Sequence, residues 1–252
     1  MADPRITIIN ERLKKINRII AISSGKGGVG KSLVATTLAL TLAQKGCKVG
    51  LLDIDFTSPS THIILGAPTA QPKEEKGIVP PTVHGLQYMS IVYYSGDNAA
   101  PLRGEDTSNA LIELLSVTNW NKLDFLVIDM PPGIGDAVLD LIRFVKNIEF
   151  LIVTTPSQLA FETVKKLVSL LKTLNVPIIG IAENMKMNSS DNIKLQTEKL
   201  GIPFLGEIAY DLNVEEAIGK EPKLLETLIA QKIRQIADTR ILKETHRTSE
   251  HG

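Results

Sequence analysis

Residues 25–32 read Gly25-Lys26-Gly27-Gly28-Val29-Gly30-Lys31-Ser32, the spacing G-x-x-x-x-G-K-[ST]. The chemistry such a spacing serves is the cradling of phosphate. Glycines let successive backbone N–H groups converge on phosphate oxygens, and some of those positions require positive φ. A helix predicted to begin near Lys31 adds partial positive charge at its N-terminus. Lys31 is placed to reach the β and γ phosphates of ATP, and the Ser32 hydroxyl to complete a Mg²⁺ shell. With Leu33, these residues make up the predicted ATP-binding segment. Lys26 is a second lysine in a loop that needs only one.

Carboxylates supply the rest of the chemistry. Leu51-Leu52-Asp53-Ile54-Asp55 ends an apolar run with two acids at alternate positions, so both are predicted to project from one face toward the carboxyl end of a sheet. We expect Asp55 to orient the attacking water and support Mg²⁺, with Asp53 beside it in the same polar pocket. A second apolar run closes on Asp129, expected to hold Mg²⁺ through water. Pro131, Pro132, Gly133, Gly135 and Asp136 follow at once. They form a segment stiff at one end and permissive at the other, suited with Asp53 to a switch that senses the γ phosphate. Asp136 alternatively caps the next helix.

Elements that could position these residues are legible in the hydrophobic pattern. Strand-length apolar runs at 19–23, 48–53, 87–92, 123–129, 150–154, 178–183 and 204–207 alternate with helical patterns at 31–45, 107–117, 136–145, 158–174, 192–200 and 222–241. Alternating βα units predict an α/β fold: one domain over 1–243, with a mostly parallel central sheet and helices on both faces in three layers. Several strands are apolar on both faces, as a doubly covered sheet requires. No internal repeat is visible. Residues 66–85, with prolines at 68, 72, 80 and 81, read as a long and mobile surface excursion, and 244–252 as a polar tail.

Composition narrows the partners. Lys plus Arg and Asp plus Glu each total 28, so the formal net charge is zero and no overall field steers the chain to nucleic acid or an anionic membrane. No stretch reaches the roughly 18 uninterrupted apolar residues of a membrane span. We expect a soluble, cytoplasmic protein that engages neither nucleic acid nor membrane. Its four histidines are scattered without ligand spacing, and Cys47 is its one cysteine, which excludes an intrachain disulfide.

Lys26 also carries a resemblance. Lys-Gly-Gly-Val-Gly-Lys-Ser resembles the deviant Walker A of the P-loop NTPase class that contains the nitrogenase iron protein, the septum-site and plasmid-partition ATPases, and the Mrp-type ATPases. Asp129-Met130-Pro131-Pro132-Gly133-Ile134-Gly135-Asp136 narrows it to the Mrp (ApbC-like) ATPases, whose members carry or assemble iron-sulfur clusters. Asp53 to Ser60, Arg103-Gly104, Trp120 with Leu123-Asp124, Thr155-Pro156, Asn184-Met185 and residues 202–208 also look like that family, although Ser58 replaces its glycine and Glu105 its proline. The resemblance implies a P-loop NTPase fold and an ATP-dependent homodimer in which Lys26 acts in trans on the partner's nucleotide. It further implies that Asn184 hydrogen-bonds adenine and that 208–211, including Asp211, lines the base pocket.

The chain departs from the family after Asn184-Met185. A Cys-x-x-Cys is usual there, whereas this sequence reads Lys186-Met187-Asn188-Ser189-Ser190-Asp191. A bridging four-iron cluster wants four thiolates, and two copies of the chain offer two. We therefore expect a slow MgATP-hydrolysing dimeric switch for an unidentified cargo or protein partner, with no iron-sulfur cluster of its own. The alternatives are a cluster carrier using atypical or partner-supplied ligands, and a positional ATPase acting on membrane or DNA.

Overall fold

Strands that are apolar on both sides must be covered on both sides, and the order of elements achieves this by winding helices alternately over two faces. A computed structural model of the chain describes residues 3–67, 71–95, 105–187 and 190–243. Its main sheet has eight strands: β1 (Ile16–Ser24), β2 (Val49–Asp53), β5 (Thr82–Val83), β6 (Leu86–Ser90), β7 (Leu123–Asp129), β8 (Ile148–Thr154), β9 (Ile178–Lys186) and β10 (Phe204–Ala209). They lie in the order β10-β9-β8-β1-β7-β2-β6-β5, every neighbouring pair parallel except β5 with β6. Register fixes where the chemistry can gather. Ile22 and Asp53 both pair with Asp129, so β7 and β2 end level, β1 runs on only to Ser24, and their following loops meet.

One face is covered by α1 (Pro4–Leu13), α5 (Glu105–Val117), α6 (Asp136–Phe144), α7 (Gln158–Thr173) and α8 (Asn192–Lys199), which bury side chains such as Ile9, Leu115, Leu141, Phe161 and Ile193. The other carries α2 (Lys31–Gln44), α3 (Thr61–Leu65), α9 (Asn213–Ala217), α10 (Glu221–Leu224) and α11 (Leu228–Ile236). Each fully buried Leu, Ile or Phe contributes about 1.5–3 kcal/mol of transfer free energy, so two such layers hold the sheet rigid under its loops. The helix α2 is buried nearly all round, between the sheet and α11, which leaves its N-terminus as a fixed mount for the glycine loop.

Several elements depart from the sequence expectation, among them the short helices α3 and α9, which it did not contain. The helix α1 has no counterpart in it: Asp3 accepts the Arg5 amide at 2.9 Å and Pro4 occupies the first turn, a start signal that the β-branched run Ile6 to Ile9 obscures. The helix expected at 222–241 is broken. Thr227 ends α10 by donating its hydroxyl to Leu224 O and starts α11 by accepting from Ala230 N, and a π turn follows at Ala237–Ile241. The strand expected to reach 92 stops at Ser90, and α4 (Val92–Ser95) follows. The excursion at 66–85 holds structure in its described part: β3 (Lys73–Glu74) pairs antiparallel with β4 (Ile78–Val79), and β5 adds the edge strand. Arg103, Gly104 and the tail 244–252 lie outside the described residues.

Candidate functional site

The glycine loop leaves β1 at Ser24 and enters α2 at Lys31. Three of its glycines are required by geometry, Gly28 by its φ of +76°. A Cβ on Gly25 would lie 2.1 Å from Thr163 Oγ1 and 2.7 Å from the Val164 backbone N, because α7 packs against the base of the loop. Gly30 has φ +81°, and a Cβ there would meet Asn184 Nδ2 at 2.3 Å. The Lys31 ammonium is buried and donates to Asp129 Oδ1 at 2.5 Å and to Ser32 Oγ at 3.2 Å. Asp129 Oδ2 is buried with no hydrogen-bond partner. Burial pushes the Asp129 carboxyl up to about 7 against the pull of the Lys31 ammonium, and the neighbouring Asp53 carboxylate adds to the rise. Lys26 is exposed, and its ammonium makes no hydrogen bond or ion pair among the described residues.

Asp53 and Asp55 do not share one pocket as alternation predicted. The strand β2 ends at Asp53, so the period-two rule does not carry to Asp55. Asp53 is fully buried and turns into its own loop, accepting from the amides of Asp55, Ser60 and Thr61 and from the Thr61 hydroxyl. Burial raises its carboxyl while those donors oppose the rise. Asp55 faces the cavity, its Oδ1 held by Thr57 N, Thr57 Oγ1 and Ser58 N.

The segment 130–136 touches the glycine loop directly. Met130 N donates to Ile22 O and Gly133 N to Ser24 O at 2.9 Å, and Pro132 lies over Gly27 and lines the cavity. Pro131 and Gly135 do not line it. Asp136 is exposed at the first position of α6, and Gly135 occupies the cap position, so Asp136 is not the N-cap.

A cavity of about 510 Å³ runs from the glycine loop, Asp55 and Ser60 to an apolar end formed by Met185, Tyr210, Val214 and Ile218. Asn184 lies between the two ends and donates its Nδ2 to Val29 O at 2.9 Å, pinning the loop. Asp211 borders the apolar end, but its carboxylate is committed: Oδ1 accepts Asn213 N and Nδ2, and Oδ2 accepts Leu228 N at 3.0 Å. The Leu228 amide and the Asn213 groups hold that carboxyl below its ordinary value. Val214 and Ile218 escaped the sequence reading because α9 has too short a pattern to declare itself.

Thiolate chemistry is not assembled here. Cys47 precedes β2, at the opposite end of the parallel strands from the glycine loop, and burial raises its thiol. Among the described residues no group of three or more His, Cys, Asp or Glu is placed to hold a metal. Where the family resemblance leads one to look for cysteines, Lys186 is buried against Glu183 at 3.0 Å and Glu207 at 3.1 Å. Asn188 and Ser189 lie outside the described residues.

A phosphate loop mounted on a parallel sheet invites comparison with known proteins. The model of the ParA-type NUBPL iron-transfer P-loop NTPases matches residues 15–243. The chain belongs to that family. An iron-sulfur cluster carrier protein of Escherichia coli is 38% identical over 242 residues, covering 88% of this chain and 66% of that protein. A protein of the same description from Methanocaldococcus jannaschii is 40% identical over 229 residues, covering 84% of this chain and 79% of the relative. Among solved structures, a nucleotide-binding protein of Archaeoglobus fulgidus in complex with ADP superposes with a TM-score of 0.75 at 31% identity, covering 88% of this chain and 93% of that one. The Mrp placement read from Lys26 and the Pro131 to Asp136 segment agrees with this family, and the parallel three-layer sheet agrees with its fold. The chain spans 66% of the length of its E. coli relative. No helix among the described residues is long and apolar enough to cross a membrane.

Proposed function

We propose that the chain is a MgATP-hydrolysing factor for iron-sulfur cluster assembly or delivery that handles its cluster through ligands supplied by a partner. The observation that carries the nucleotide half is the buried Lys31–Asp129 pair beside Ser32, with one buried Asp129 oxygen left unpartnered behind the glycine loop. Family membership and the description of the relatives as cluster carriers support the cargo half. Having no thiolate pair of its own, the chain is assigned a partner's ligands in place of the clusterless switch expected from the sequence. Its zero net charge lends nothing to a positional role on membrane or DNA.

In this reading the amides of 27–32 hold the β and γ phosphates, and Lys31 moves its ammonium from Asp129 to the phosphate oxygens. Ser32 Oγ, the free oxygen of Asp129 and Asp55 are an all-oxygen donor set that fits Mg²⁺, either directly or through water. When bound, the cation draws negative charge from the phosphate oxygens. Asp55 orients the attacking water and Pro132-Gly133 senses the γ phosphate through its contact with the loop. The Asn184 side-chain oxygen faces adenine while its Nδ2 keeps Val29. Lys26 completes the site of a second copy in an ATP-dependent homodimer.

Two measurements on the purified chain test the proposal. Phosphate release from MgATP is expected for the wild type and not for Asp55→Asn. Anaerobic treatment with iron and sulfide is expected to leave the chain colourless, while MgATP and the chain together accelerate cluster transfer from a cysteine-bearing carrier to an apo client. Transfer rates indifferent to the chain would sink the cargo half, and a stoichiometric chromophore on the chain alone would overturn the partner-ligand clause.

A further inference from the structure

Among the buried polar groups that the proposed chemistry leaves unused, one set forms a continuous chain. Tyr88 on β6 is fully buried, and its hydroxyl lies 2.8 Å from Thr61 Oγ1. Thr61 Oγ1 in turn lies 2.6 Å from Asp53 Oδ2. The carboxylate only accepts, and a threonine hydroxyl has one hydrogen, so Thr61 donates to Asp53 and Tyr88 donates to Thr61. Asp53 then gathers the amides of Asp55 at 3.0 Å, Ser60 at 3.3 Å and Thr61 at 3.2 Å, closing residues 53–61 into a ring. The ring contains Asp55. Its far side continues as α3, whose last turn is tied down by Gly219 N donating to Ile64 O at 3.1 Å.

An apolar pair such as Phe and Val would fill the space of Tyr88 and Thr61 without two hydroxyls to satisfy inside the protein. What the hydroxyls add is direction: they hold the Asp53 carboxylate in the one rotamer that faces three amides of the loop. We propose that Thr61, held by Tyr88, is a positioning residue for ATP hydrolysis, acting through Asp53 to fix the loop that carries Asp55. This rests on the hydrolytic role given to Asp55 above. A carboxylate that orients water must be held within a fraction of an ångström, and a displacement of about 1 Å costs on the order of 100-fold in rate.

The test compares Thr61→Val, Thr61→Ser and Tyr88→Phe with wild type and Asp55→Asn, by steady-state hydrolysis of MgATP and by hydrogen–deuterium exchange of the 53–61 amides. Thr61→Val is expected to lower kcat by about 10- to 100-fold with KM within about 3-fold, because the phosphate loop is untouched. Thr61→Ser keeps the hydroxyl and is expected within about 2-fold of wild type, with Tyr88→Phe between the two. The amides of Asp55 and Ser60 should exchange faster in Thr61→Val and Tyr88→Phe and normally in Thr61→Ser. An unchanged kcat in Thr61→Val, or a serine variant as impaired as the valine one, overturns the relay. If wild type binds MgATP but releases no phosphate, the hydrolytic reading fails by itself, and unaltered exchange in Thr61→Val then decides against the relay separately. Should Thr61→Val not fold, Tyr88→Phe carries both arms.

Discussion

Asp129 sits where two demands conflict, since burial favours the neutral acid and the Lys31 ammonium favours the carboxylate. Burial prevails, raising the folded value to about 7 from an ordinary 3.8. A raised value means that the folded state binds the proton more tightly. The stability this supplies is complete below about pH 4 and is lost as pH rises toward about 7. Asp129→Asn removes the titration. In EDTA and without nucleotide, its denaturation midpoint should therefore rise relative to wild type between about pH 4 and 8, and a pH-independent difference would refute the assignment. Gly25 makes a separate steric prediction. Gly25→Ala should cost about 1–3 kcal/mol by overpacking in a denaturant titration, and Thr163→Ala should restore only part of it, because the Val164 backbone N stays 2.7 Å from the new carbon. The phosphate-loop residues were legible from spacing alone, since few other uses fit four glycines and a lysine between strand and helix. The task of Asp53 was not, because an acid at a strand end looks the same whether it faces a ligand or its own loop.

At the scale of elements, the hydrophobic periods located every long strand and helix around the site. They failed where local hydrogen bonding cut across them: Thr227 splits one apolar helical pattern into two helices, and Asp3 with Pro4 starts a helix in a β-branched run. No period marks the ion pairs that bind one element to the next. Lys186 at the end of β9 is the strongest case, with Glu183 buried beside it and Glu207 on β10 completing the staple. Removing the ammonium leaves Glu183 buried without a cation, a change that costs about 3–5 kcal/mol where it has been measured in protein interiors. Lys186→Met should lose on that order in chemical denaturation. Lys186→Met with Glu183→Gln should recover much of it, since no charge is then stranded. If the double variant is no more stable than the single, the staple acts through packing of the lysine stem instead.

For the whole molecule, the decisive question is what lies opposite the exposed edge where the nucleotide cavity opens. Lys26 lines that cavity with an ammonium that has no ion pair among the described residues, and Met187 and Leu212 stand 79% and 78% exposed after the adjacent strands β9 and β10. A cation with no carboxylate partner among the described residues is well placed to meet a phosphate presented by a second copy, and exposed apolar side chains elsewhere on the chain can add area to such a contact. Light scattering with and without MgATP is expected to show a monomer that becomes a dimer for wild type. Asp55→Ala should give a more persistent dimer, because it binds nucleotide without turning it over. Lys26→Ala should bind MgATP within about 3-fold of wild type yet remain monomeric if, as proposed, the lysine completes the partner's site. Were Lys26→Ala to dimerise as wild type does, the lysine would have no part in the contact. Were every form to stay monomeric with nucleotide bound, ATP would have to act on cluster transfer within a single chain, through Pro132-Gly133 and the loop of Asp55.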